Sequence, residues 1–191
     1  MEKELDIADV IRDRRTIRQF SERQLTTDTI LELLEVAKWA PTHGLREPWR
    51  FICAADEKAK EKLSDRIIGA LEEFNRYKWL PGKIKEMYKK KLMQIPVILF
   101  VVVKEEKGKL KREEDFAASC ALIQNLQLYG WEKGIGMIWS IEDTLCGNRT
   151  FCDSIGIQKD ERIAGMLYMG YYDRVPKAKQ RTSAERKMTW L

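Results

Sequence analysis

The sequence predicts an α+β domain in which helices flank a central sheet, and two segments carry most of this prediction. Ile95–Val103 is an uninterrupted apolar run rich in β-branched residues, as expected for a central strand covered on both faces. Glu113–Lys133 has apolar and small side chains at helical spacing and acidic residues in its first turn, which predicts one long helix. The rest of the chain shows no repeat, linker or low-complexity segment, so residues 1–191 are expected to form a single domain.

The remaining elements follow from apolar spacing and from residues that favour the ends of helices and strands. The other predicted helices are Leu5–Arg14, a segment that Thr26 or Thr27 opens and that Pro41 and Gly44 end, Glu57–Phe74 and Asp143–Ile155. The other predicted strands are Trp49–Ala55, Met137–Ile141 and Ile163–Gly170. The sheet is therefore expected to have four strands.

Composition excludes several classes of function. The net charge of +5 comes from 35 basic and 30 acidic residues, and no basic stripe with interleaved aromatic rings indicates a nucleic-acid partner. The longest apolar run is too short to cross a membrane as a helix, and the first residues lack a signal-peptide pattern. We therefore expect a cytoplasmic protein that does not contact a membrane.

Cysteine and histidine usage argues against a metal site. The four cysteines form no C-x-x-C pair, and His43 is the only histidine of the chain. Cys53 and Cys120 stand among apolar residues and are expected to be buried free thiols, which suits a reducing compartment. Gly134 and Gly136 follow the long helix instead of opening one, so they do not predict a dinucleotide-binding turn.

The most informative short segment is Arg14–Phe20. It places Arg14, Arg15 and Arg18 beside the hydroxyl of Thr16, and guanidinium and hydroxyl groups together can hold a phosphate-sized anion. Taken alone, such a run is more often a solvated surface. Together with the segments that follow it in the chain, the run favours an anion-binding site.

Five segments in order resemble the nitroreductase family of FMN-dependent oxidoreductases, and in particular its compact members. They are Arg14–Phe20, Ala40–His43 with Pro48–Phe51, Gly134–Ser140, Gly165–Tyr171 and Lys177–Arg181. The resemblance implies a central, mostly antiparallel sheet flanked by helices, and a homodimer with FMN at the interface between the two subunits. It also implies NADH or NADPH as co-substrate and a small-molecule acceptor such as a nitroaromatic or a quinone, reduced by ping-pong hydride transfer through the flavin.

The resemblance also assigns expected roles to individual residues, with no catalytic side chain because flavin N5 carries the hydride. The FMN phosphate and ribityl chain would be held from both ends of the chain, and the ring system from the middle of it. The expected cofactor-binding residues are Arg14, Arg15 and Thr16 at the phosphate and ribityl chain, Arg18 at the pyrimidine edge, Trp39, His43, Trp139, Ser140 and Ile141, and finally Lys179 and Arg181 at the phosphate.

Some features leave alternatives open. Leu45, Arg46 and Glu47 stand where the family commonly has amide residues before Pro-Trp, so those amide contacts to the flavin would be missing. The stretch Asn75–Met93 is expected to cover the flavin, or merely to anchor a surface helix, and Trp190-Leu191 could dock on its own domain or on a partner subunit. Another flavin chemistry on the same fold, such as dehalogenation, flavin reduction or dehydrogenation, and a flavin-binding module without turnover are the rival functions.

Overall fold

The computed structural model describes residues 6–74, 78–79 and 81–191, and it confirms the α+β architecture. All four strands pair antiparallel in the order β1-β2-β4-β3. The strands are β1 Trp49–Ala54, β2 Val97–Lys104, β3 Ile135–Ser140 and β4 Glu161–Tyr171. The α-helices are α1 Ile7–Asp13, α2 Thr27–Ala37, α3 Glu57–Glu73, α4 Gly82–Met93, α5 Lys109–Glu132, α6 Asp143–Cys146 and α7 Arg149–Ser154.

Strand β2 is central, as its unbroken apolar sequence predicts, and its side chains alternate between two cores. Val97, Leu99 and Val101 belong to the core that α2 and α5 cover. Ile98 and Phe100 belong to the core on the other face, which α3, α6 and α7 cover. Because both faces are covered, every residue of β2 except its last is buried.

The segment after α1 runs along the edge strand β3 and extends the sheet by two contacts. Thr16 forms a parallel bridge with Met137, and the Ile17 N–H donates to the Met137 carbonyl at 3.2 Å. Ile17 packs directly on Gly136, where a Cβ atom would collide with its side chain. Gly136 is therefore required by this close approach, which explains the Gly-Ile-Gly segment without a nucleotide-binding turn.

Several predicted boundaries were wrong, and so was the predicted burial of Cys53 and Cys120, of which Cys120 is half-buried on α5. The helix predicted at Asp143–Ile155 is two short helices, because Asn148 interrupts it and its side chain accepts from the Phe151 N–H to begin α7. Cys53 is exposed, since it projects from edge strand β1 on the face opposite to Ala54. Helix α5 begins at Lys109 instead of Glu113, so the acidic residues lie inside it.

The stretch Asn75–Met93 is described only in part. Within the stretch Asn75–Met93, residues 75–77 and 80 lie outside the described residues, while α4 occupies its second half. In the parts of the chain that the structure describes, no helix has both the length and the apolar character needed to cross a bilayer.

Candidate flavin-binding site

Arg14 and Arg15 lie at the end of α1, half-buried and without acidic partners in the described part of the chain. The Arg14 Nη1 donates to Oε1 of Gln127 on α5 at 3.1 Å. The Arg15 Nη1 donates to the carbonyls of Arg12 and Arg14 at 2.6 and 2.9 Å. The Nε atoms of both arginines are buried and have no hydrogen-bond partner among the described residues. These two donors are satisfied only if an acceptor from outside these residues reaches them.

The third member of this group comes from the other end of the chain. Burial lowers the pKa of Arg14, and the nearby charges of Arg15 and Arg181 lower it further. The C-terminal segment therefore brings Arg181 within electrostatic reach of the α1 end. Lys179 is exposed on the same segment. We call Arg14, Arg15 and Arg181 the arginine cluster.

A cleft of about 1090 Å³ lies between segment 18–24, the second half of α4 with the residues that lead into β2, and the ends of β3 and β4. Arg18 is exposed at one wall of this cleft, and Thr16 is half-buried against Met137 nearby. The volume lies slightly above the range of pockets that hold drug-sized ligands. The cleft is also lined by five residues that sequence reasoning did not single out as cofactor ligands: Tyr88, Lys91, Ile138, Glu142 and Tyr168.

Alternation along β3 separates the predicted residues at its end. Ile138 lines the cleft, whereas Trp139 points to the opposite face and packs on Gly165 within the α5-side core. The Trp139 Nε1 is buried without an acceptor among the residues described. Ser140 is half-buried and Ile141 is exposed where the strand ends. The period of two along β3 was the signal that could have identified Ile138 as the cleft residue.

Trp39 and His43 lie in a different place. Trp39 is 82% exposed just beyond α2, and His43 is exposed in the short 3₁₀ turn His43–Leu45. The turn faces the middle of α5, where Ala117, Ala121 and their neighbours form one wall of a cavity of about 490 Å³. Within one chain, these two residues are therefore not gathered with the arginine cluster.

The separation can be estimated along α5. The arginine cluster is tied to this helix at Gln127, and the segment after His43 is tied to it at Asp115 through Arg46. These anchor points are 127 − 115 = 12 residues apart, which corresponds to about 18 Å at ~1.5 Å per residue. The predicted site residues thus form two groups at different levels of the same helix.

The last part of the chain is exposed along its whole length. Tyr172 still stacks on Trp131, with ring centroids 5.1 Å apart, but every residue from Asp173 to Leu191 is exposed. Trp190 is 86% exposed, so it does not dock on its own domain. We call residues 173–191 the C-terminal arm.

Comparison with known proteins identifies the family. The model of the Nitroreductase family matches residues 11–171, which include the α1 end, the cleft and the whole sheet. The chain belongs to the nitroreductase family. The family predicted from the five segments is therefore confirmed.

Three relatives show how far the similarity extends. YfhC of Bacillus subtilis, assigned by name to the NAD(P)H nitroreductases, is 39% identical over 96% of this chain and 93% of its own length. The crystal structure of a nitroreductase-like family protein from Bacillus cereus has a TM-score of 0.91 at 34% identity, covering 100% of this chain and 98% of that one. An iodotyrosine deiodinase crystallised with FMN and 3-iodo-L-tyrosine has a TM-score of 0.70 at 22% identity, covering 93% and 96%, and shares the fold.

Proposed function

We propose that this protein is an FMN-dependent oxidoreductase that takes electrons from NADH or NADPH and passes them to a small organic acceptor, such as a nitroaromatic or a quinone. The observation that carries the proposal is the arginine cluster. Arg14 and Arg15 are half-buried, the charge of the exposed Arg181 acts on Arg14, and the Nε donors of Arg14 and Arg15 have no acceptor among the described residues. A bound dianionic phosphate would neutralise the charges and accept from both donors.

The residues of the cluster and the cleft fit FMN as a ligand. Arg14, Arg15, Arg181 and Lys179 would bind the phosphate, and the Thr16 hydroxyl would lie by the ribityl chain. Arg18 and Lys91 line the cleft and would place positive charge at the pyrimidine edge of the flavin. Positive charge at that edge stabilises the anionic reduced flavin. When bound, FMN supplies the hydride acceptor and donor of the reaction.

The protein's own part in the chemistry is positioning and exclusion of water. Ile138 and Tyr168 would form an apolar wall beside the flavin, and a nicotinamide or an acceptor would stack in the remaining space in turn. Burial, together with the nearby Tyr88 and Glu142, raises the pKa of Tyr168, so this phenol stays protonated at neutral pH. Tyr88 also lines a second cavity of about 510 Å³ between α3, α4 and α6, which supports a role for α4 in choosing the acceptor.

We further propose that the working form is a homodimer. The chain exposes 13079 Å², whereas a compact monomer of 22.5 kDa would expose about 9,500 Å². The C-terminal arm and apolar side chains such as Trp39 and Leu45 are among the exposed parts of this surface. A second copy could cover these surfaces and bring His43 of one subunit to the arginine cluster of the other.

The proposal is tested by the visible spectrum of the purified protein and by titration of the flavin-free protein with FMN. Saturable binding at a stoichiometry of about one FMN per chain is expected, followed by oxidation of NADH or NADPH with a quinone or nitroaromatic acceptor. Absence of FMN binding would remove the functional assignment. FMN binding without steady-state oxidation of either nicotinamide would instead indicate a flavin-binding module.

A further inference from the structure

Segment 42–47, which we call the 42–47 loop, holds two of its residues in a backbone conformation that they disfavour. Gly44 has φ of 60°, which glycine adopts readily. Leu45 and Glu47 have φ of 52° and 44°, in the left-handed region that side chains with a Cβ atom rarely occupy. Neither residue type favours this conformation by itself, so contacts from outside the loop must maintain it.

The main contact of this kind is made by Arg46, which lies between the two strained residues. Its Nε and Nη2 donate to Oδ1 of Asp115 at 3.0 and 2.6 Å, and Nη2 also donates to Oε2 of Glu114 at 3.2 Å. The Asp115 side chain is only 3% exposed. A buried carboxylate that lost its charged partner would be strongly destabilising, so this ion pair fixes the loop to α5.

The loop presents groups that its own chain leaves unsatisfied. The Thr42 Oγ1 is buried and has no hydrogen-bond partner among the residues that the structure describes. His43 is exposed, and Leu45 is 85% exposed although it is apolar. A strained backbone, an unpartnered hydroxyl and an exposed leucine in one short loop are typical of a surface that is preorganised for a contact outside the chain.

We propose that Arg46 is a positioning residue, which acts through Asp115 to hold the 42–47 loop in its left-handed conformation. In this conformation the loop presents Thr42 and His43 to the FMN bound at the partner subunit's arginine cluster. The inference rests on the proposed function, because it requires a flavin shared between two subunits. The ion pair fixes the loop to α5 on the side away from the proposed cofactor, and Arg46 itself does not contact the cofactor.

The test separates the position of the loop from the stability of the fold. The double variant Arg46→Met/Asp115→Leu removes both charges, so no buried charge is left unpaired. We expect its melting temperature to stay within a few degrees of the wild type and its FMN affinity, measured by flavin fluorescence, to fall about tenfold, because the unclamped loop leaves the strained conformation. Arg46→Lys keeps one charge but cannot engage two carboxylates in the same way, and a loss of about threefold is expected.

Arg50 provides a matched control on the next strand. It forms a similar ion pair with Glu161 but lies outside the loop. Arg50→Met should lower stability and leave FMN affinity unchanged. A second control restores the loop conformation, since glycine accepts positive φ without strain. Adding Leu45→Gly and Glu47→Gly to the double variant should recover at least half of the lost affinity on a logarithmic scale.

Each outcome bears on the inference. Unchanged FMN affinity in both Arg46→Lys and the double variant, with normal binding by the wild type, would overturn it and leave the proposed function standing. A loss that the two glycines do not reverse would also overturn it, because the loop conformation would then not be the cause. Failure of the wild type to bind FMN would overturn the proposed function and this inference together. If the double variant does not fold, the result for Arg46→Lys decides.

Discussion

Two groups of arginines in this protein differ in their partners although they are the same residue type. Arg46 and Arg50 each face carboxylates, at 2.6 Å from Asp115 and 2.5 Å from Glu161 respectively. Arg14 and Arg15 face a glutamine, main-chain carbonyls and one another. The arginines of the first group have their acidic partners within the same chain. The second has no anionic partner among the residues that the structure describes, and this difference in partners distinguishes the candidate binding site from ordinary structural ion pairs.

The electrostatic consequences run in opposite directions. Arg50 donates hydrogen bonds to the Glu161 carboxylate. These bonds lower the pKa of Glu161 and raise the pKa of Arg50, so each group stabilises the charged form of the other. Burial and two neighbouring guanidiniums lower the pKa of Arg14. A fold that holds a cation in such surroundings loses stability unless a ligand supplies the opposite charge. The arginine cluster therefore has the properties of a binding site, and the paired arginines have those of a scaffold.

The largest expected effect is on cofactor affinity. Arg14→Ala and Arg181→Ala should each weaken FMN binding on the order of ten- to a hundredfold, because a charged hydrogen bond to phosphate contributes about 1.5–3 kcal/mol. Equilibrium titration of the flavin-free protein measures the change. Arg50→Ala is the control and should leave affinity within about twofold of the wild type. Equal affinity of all three variants and the wild type would place the cluster on the solvated surface and remove the distinction between the two groups.

A smaller effect is expected on the stability of the flavin-free protein, with opposite tendencies in the two groups. Arg50→Met should lower the free energy of unfolding by about 1 kcal/mol, a value reduced by the partial exposure of the pair. Arg14→Met should leave it unchanged or raise it by about 0.5 kcal/mol, since relief from repulsion offsets the lost bond to Gln127. Urea denaturation without FMN compares them. A loss in Arg14→Met as large as that in Arg50→Met would make Arg14 a structural residue.

The sequence predicted one group better than the other, for physical reasons. Arg14 and Arg15 are adjacent in the chain, and the approach of Arg181 followed from family resemblance. The pairing of Arg46 with Asp115 joins residues 69 positions apart, and no local pattern indicates which of the many acidic residues is buried. Positive φ at Leu45 and Glu47 was equally invisible, because these residue types do not favour it.

The elements of the fold also differ in how well a local sequence pattern predicts them. The period of an apolar pattern gave β2 and the long α5, whereas the break between α6 and α7 depends on a single cap, Asn148. The side chains of the cleft come from segment 18–24, α4, β3 and β4, which are distant in sequence and meet only in the folded chain. Tyr168 could therefore be identified as a candidate site residue only after the topology was known, whereas alternation along β3 already separates Ile138 from Trp139.

The smallest expected effect is on the pH dependence of the free energy of unfolding. The pKa of Glu161 is lowered in the folded state by Arg50, below the value of about 4.3 expected for an unfolded chain. The pair therefore contributes its full stability above about pH 5 and loses it as pH falls through the folded pKa, where Glu161 takes up a proton. The free energy of unfolding of the wild type should exceed that of Glu161→Gln by about 1 kcal/mol at pH 7, and the difference should narrow steadily as the pH falls below the pKa of the unfolded chain.

The control for this titration is a second carboxylate whose pKa an arginine lowers. Asp153 pairs with Arg149 on the surface of α7, where solvent screens the interaction, so Asp153→Asn should change the pH dependence less than Glu161→Gln. Denaturation at a series of pH values, with FMN absent, measures both. If the gap between wild type and Glu161→Gln did not narrow towards acid pH, the Arg50–Glu161 pair would contribute through packing alone. Arg50 would then no longer serve as an example of an arginine stabilised by the charge of its carboxylate partner, in contrast to the arginine cluster.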